Sequence, residues 1–74
     1  MPKLYSARIV LAALQRAGFT ISSQKGSHIK LVKQSGAKNL TAIVPNHKEI
    51  ARGTFASILS QANLTQEEFD KFIK

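Results

Sequence analysis

The apolar residues of this chain change their spacing at Gly18-Phe19, and that single change fixes most of what the chain can become. Before it, Val10, Ala13, Leu14 and Ala17 recur at i, i+3, i+4 and i+7, the stripe of an amphipathic helix. After it, Phe19 and Ile21 alternate with Thr20 and Ser22, the period of a strand with one face toward a core. A one-sided helix and a one-sided strand must bury their apolar faces against each other. The spacing predicts a helix over about Ala7 to Ala17, capped by Ser6, with Tyr5 placed to staple onto Val10. Gly18 supplies the left-handed residue that ends it, and Phe19 folds back toward Leu14 in a Schellman ending.

The rest of the chain reads in the same way. Gln24-Lys25-Gly26 is a turn, and a second strand over Ser27 to Lys33 sends Ile29 and Leu31 to the core and His28, Lys30 and Val32 to the opposite face. Residues 34–39 (Gln-Ser-Gly-Ala-Lys-Asn) read as a turn-rich loop, and a third strand over Leu40 to Val44 stops at Pro45. Its facing stays ambiguous, because Leu40, Ala42, Ile43 and Val44 supply apolar groups to both sides. Phe55, Ile58, Leu59 and Ala62 repeat the helical stripe after a Gly53-Thr54 cap. Thr65-x-x-Glu68 then forms a capping box before a last short helix with Phe69, Phe72 and Ile73. The expected fold is α+β, a two-layer α-β-β-β-α sandwich in which helices cover one face of a three-stranded antiparallel sheet.

Length and composition bound the function. Residues 1–74 suffice for one domain with one core. The chain has no cysteine, hence no disulfide framework and no thiolate metal site. Met1-Pro2-Lys3-Leu4 opens no signal peptide and no stretch is long enough to span a bilayer, so a cytoplasmic protein is expected. Eleven Lys and Arg against four Asp and Glu give +7. Residues 67–74 hold three of the acids and two lysines, which leaves nine bases against Glu49 alone, +8, in residues 1–66. A polyanionic partner is expected for such a body; the plainer reading is that the charge serves solubility.

The candidate chemistry centres on His28. Histidine titrates near neutrality, and a strand-face imidazole can take the proton of a ribose 2′-OH so that this oxygen attacks the adjacent phosphate. Gly26 allows a phosphate backbone close approach, Ser27 can donate a hydrogen bond, and Lys25, Lys30 and Lys33 can bind phosphates. The same three residues Gly26-Ser27-His28 also fit an ordinary exposed histidine beside a hairpin glycine. His47, after Pro45-Asn46, is either a second acid/base or phosphate-contacting group or a loop histidine. Lys48, Arg52 and the Gly53-Thr54 helix start can form an anion site or simply a solvated helix cap. Arg8 and Arg16 fall on the outer side of the first helix and read as solvation. Two histidines with distant acids give no metal-ligand cluster, and no acid is evidently placed to orient His28 in a Ser-His-Asp arrangement, so no metal and no cofactor is expected. The Phe and Tyr residues fall at core positions, leaving no aromatic platform for stacked bases.

Gly18-Phe19, Gly26-Ser27-His28, Pro45-x-His47, Gly53-Thr54-Phe55-x-x-Ile58-Leu59, Gln61-Ala62 and Glu67-Glu68-Phe69 together resemble the HicA family, in order and at similar spacing, from about Leu4 to Phe69. HicA proteins are small toxins of prokaryotic toxin-antitoxin pairs, with a double-stranded-RNA-binding-like fold and mRNA endoribonuclease activity. The resemblance implies that His28 is catalytic and that a HicB-type antitoxin covers the site. Residues 54–63 carry no Lys or Arg, unlike the last main helix of duplex-RNA binders, which points to accessible RNA segments as substrate. The expected partners are therefore mRNA and an antitoxin with an acidic surface. The competing expectation is a non-catalytic RNA-binding module using the same basic face.

Overall fold

The computed structural model describes residues 4–73; the opening Met1-Pro2-Lys3 and the closing Lys74 lie outside them. The elements follow in the order α1 (Ala7–Arg16), β1 (Thr20–Lys25), β2 (His28–Ser35), β3 (Lys38–Pro45), α2 (Arg52–Ala62) and α3 (Gln66–Asp70). The strands form one antiparallel sheet in the order β1-β2-β3. This is the α+β arrangement expected from the spacing.

Both ends of α1 form as the sequence dictates. The Ser6 side chain accepts the Ile9 N–H at 3.2 Å. At the other end Phe19 N–H donates to Leu14 O at 2.9 Å and Gly18 N–H to Gln15 O at 3.1 Å, the paired bonds of a Schellman ending. Gly18 adopts φ +107°, which calls for glycine, and a Cβ there would stand 3.2 Å from the flexible Cε of Lys33, which could shift to admit it. Tyr5 joins an aromatic cluster: its ring lies 5.2 Å from Phe55 and 5.5 Å from Phe69, and Phe55 meets Phe69 edge-on at 4.9 Å. The capping box of α3 is complete, with Glu68 N–H donating to the Thr65 hydroxyl and Thr65 N–H to the Glu68 carboxylate.

Several expectations are corrected. The turn predicted at residues 24–26 is the two-residue hairpin Gly26-Ser27, because Lys25 pairs with His28. Gly26 has φ +59°, the left-handed first position that matches strand twist in such a turn. The loop predicted over residues 34–39 shrinks to Gly36-Ala37, since Ser35 pairs with Lys38 and Gln34 with Asn39. Those paired residues are polar and exposed, so only the ladder distinguishes them from a loop. The start of α2 is also earlier: its N-cap is Ala51, without a side-chain cap, and Gly53-Thr54 lies inside the first turn. Ile50, which belongs to no periodic stripe, is fully buried.

Register decides which side chains share the open face. Ile29 and Leu31 on β2 and Ala42 and Val44 on β3 are buried beneath the helices, which resolves the facing of β3. Ile21 pairs with Leu31, as its alternation requires, yet stays 45% exposed because β1 is an edge strand and α2 packs on β3 at the other side of the sheet. A bulge between Ile21 and Ser23 inserts one residue into β1. Simple alternation from Ile21 would send Lys25 to the helix side; the extra residue inverts the parity and sets Lys25 directly opposite His28 on the open face. At the far edge the Gln61 side chain accepts the Ile43 N–H at 2.9 Å, so α2 closes the free edge of β3.

A candidate active site around two histidines

His28 opens β2 immediately after the hairpin and pairs with Lys25 on one side and Pro45 on the other. Lys30, two residues along, shares its face. Gly26 has no heavy atom within 4 Å of the position a Cβ would take, so the turn is open to solvent. The carbonyl of Ser27 accepts the Asn46 N–H at 2.6 Å, which ties the hairpin to the segment after β3. There, His47 N–H donates to Pro45 O at 2.9 Å in a three-residue turn, and His47 O accepts the Ala7 N–H at 2.9 Å. Main-chain bonds thus hold the Pro45-Asn46-His47 turn between the hairpin and the start of α1.

The result is that the two histidines, far apart in sequence, line one concavity. It measures about 480 Å³, and its walls include His28, Pro45, His47, Glu49, Thr54 and Gln61. His47 also borders a second concavity of about 520 Å³ with Ser6, Arg8, Asn46 and Lys48. Among the described residues no three His, Cys, Asp or Glu side chains converge as metal ligands do.

The basic residues named from the sequence divide into two groups. Lys25 and Lys30 stand on the face of His28, and Lys48 stands beside His47. Lys33 does not join them. It occupies the helix-side parity of β2 five residues beyond His28, roughly 17 Å along the strand. Its ammonium lies 5.8 Å from the Phe19 ring centre, in a cation–π contact. Arg52, Lys48 and Thr54 border three different concavities: Arg52 an apolar cleft with Tyr5, Ile50, Phe55 and Leu59, Lys48 the one with Arg8, and Thr54 the one with His28. Arg8 and Glu49 also line these concavities, and the sequence carries no sign of it: the outer side of a helix shows no periodic signal, and nothing local relates Glu49 to either histidine.

Compared with known protein families, residues 7–64 match the family described as the HicA toxin of bacterial toxin-antitoxin. The chain belongs to the HicA toxin family. No curated protein sequence matches it. As a HicA toxin it is the toxin component of a toxin-antitoxin pair, which implies an antitoxin counterpart. The described residues include no helix long and apolar enough to cross a membrane.

Proposed function

We propose that this HicA toxin is an endoribonuclease that cuts mRNA without a metal ion, with His28 as the catalytic base. The observation that carries this reading is the convergence of His28 and His47 on one solvent-open concavity of a basic protein, with Lys25 and Lys30 on the same face as His28. In the reaction His28 takes the proton of a ribose 2′-OH. The 2′-oxygen bonds to the adjacent phosphorus, the P–O5′ bond breaks, and the 5′-oxygen leaves with a proton. The products are a 2′,3′-cyclic phosphate and a 5′-hydroxyl, with no water consumed in the step. The second imidazole, His47, is the group suited to donate the leaving-group proton or to contact the phosphate. Lys25 and Lys30 attract the backbone, and Gly26 and Ser27 leave room for it at the turn. A base of this kind contributes roughly 10²- to 10⁴-fold.

The test compares wild-type protein and His28→Ala on RNA in the presence of a chelator. Wild type is expected to cut and His28→Ala to lose at least about 10²-fold in rate, with an unchanged melting temperature and RNA affinity within a few-fold. Undiminished cleavage by His28→Ala overturns the reading. Binding without product from either protein identifies a non-catalytic RNA-binding module instead.

The same proposal names the partner. A HicB-type antitoxin with an acidic surface covers His28, its carboxylates taking the places of RNA phosphates against the +7 toxin. Its association rate is expected to fall as salt rises.

A further inference from the structure

We propose that Arg8, Lys48 and Asn46 form a second phosphate subsite, which holds a phosphate neighbouring the scissile one on the same RNA strand. This rests on the reading of His28 as the cleaving base and names how the strand runs away from it.

The concavity beyond His47 is lined by Ser6, Arg8, Asn46, His47 and Lys48 and contains no acid. Among the described residues the side chains of Arg8 and Lys48 make no hydrogen bond or ion pair. Arg16, on the same helix, is engaged: its guanidinium donates to Phe72 O at 2.7 Å. Glu49, next to Lys48 in sequence, borders the other concavity with His28. Arg8 and Lys48, without a side-chain partner among the described residues, thus line one concavity with a side-chain amide and with no carboxylate in its lining. An arginine fork matches two oxygens of one phosphate, a lysine adds a point charge, and the Asn46 amide adds two donors. That donor set suits a phosphate.

Position separates an RNA strand from other anions. His47 is a wall of both concavities, so a chain whose phosphates repeat at short intervals reaches one while a neighbouring phosphate rests in the other. The two are held in fixed relation by Asn46 N–H to Ser27 O at 2.6 Å and Ala7 N–H to His47 O at 2.9 Å. The first places the segment against the hairpin that carries His28, the second against the helix that carries Arg8. An anion that occupies only one concavity gains nothing from this arrangement, whereas a strand gains both contacts for one binding event.

The experiment measures binding of a 2′-O-methyl oligoribonucleotide, which cannot be cut, to the full chain over a series of salt concentrations. The proteins are wild type, Arg8→Ala, Lys48→Ala, the double variant, and Lys38→Ala as a control in the hairpin at the opposite end of β2. Arg8→Ala and Lys48→Ala are each expected to weaken binding several-fold and to lower the slope of log K against log salt by about 0.7, the double variant by about 1.4. Lys38→Ala is expected to change neither. If Arg8→Ala and Lys48→Ala behave like Lys38→Ala, the charge acts diffusely and the subsite is overturned. If they spare RNA binding and weaken only capture of the antitoxin, the concavity is a protein contact and the proposal is equally overturned. Cleavage of all-ribose RNA by His28→Ala, run in parallel, keeps the two readings apart. Wild-type cutting by His28→Ala together with lost binding in Arg8→Ala removes His28 as the base and leaves the phosphate subsite standing.

Discussion

Two neighbouring regions of this small fold are built on opposite terms. In one, Tyr5, Phe55 and Phe69 pack ring against ring, Phe69 is fully buried, and a complete capping box locks α3 beneath them. In the other, the Gly26-Ser27 hairpin and the Pro45-Asn46-His47 turn are joined by main-chain bonds alone, and their side chains stand free. The aromatic region spends its side chains on packing; the histidine region leaves its side chains without hydrogen-bond partners among the described residues. In a chain of 74 residues, with total stability of roughly 5–10 kcal/mol, that division lets chemistry-bearing residues remain unpaired without unfolding the protein.

The comparison can be broken from the aromatic region first. Phe69→Ala is expected to cost about 3–5 kcal/mol, a large part of the total, as read by denaturant unfolding. A loss under 1 kcal/mol would show that the cluster does not carry the fold. Thr65→Ala, which removes the hydroxyl cap of α3, is expected to cost about 1 kcal/mol and to leave RNA cleavage at the wild-type rate once the protein is folded. A cleavage defect in a folded Thr65→Ala protein would show that the cap of α3 and the histidine concavity are coupled.

The smallest effect is in acid. The Glu68 carboxyl is held below the ordinary glutamate value, first by the backbone N–H of Thr65, then by the Thr65 hydroxyl contact, with Lys71 and Lys33 adding attraction. A folded-state value below the unfolded one means that the stabilisation is complete above the ordinary glutamate range. It is lost as pH falls through that range to the lowered folded value. Wild type is therefore expected to outmelt Glu68→Gln slightly at pH 7 and to lose that advantage in acid, once pH lies below the lowered folded value. An equal gap at both pH values contradicts the assignment. The group is fully exposed, so the effect is modest.

What the sequence disclosed follows the range of the interactions. Ser6, Gly18 and the Thr65-Glu68 box act within a few residues of themselves, and each formed as read. The alternation of β2 placed His28 and Lys30 on the open face, because strand parity is local too. The errors arise where partners are distant. Lys33 looked like a companion of His28 by proximity along the chain, but an odd separation of five put it on the other face, over Phe19. Arg8 looked idle on the outer side of α1 until the turn after β3 came up against it. The bulge in β1 has no sequence signature in its run of Ser and Thr, yet it decides where Lys25 stands. Ile50 shows no period, since a single buried residue in a connecting segment has none to show.

The way the Pro45-Asn46-His47 turn is fastened has a consequence for change over generations. Its anchors are the Asn46 N–H and the His47 carbonyl, groups that every residue except proline offers at both kinds of position. Residues 46 and 48 can therefore be exchanged for others without moving the strand or the helix they join. The side chains of this segment are thus free to change over generations while the scaffold stays as it was.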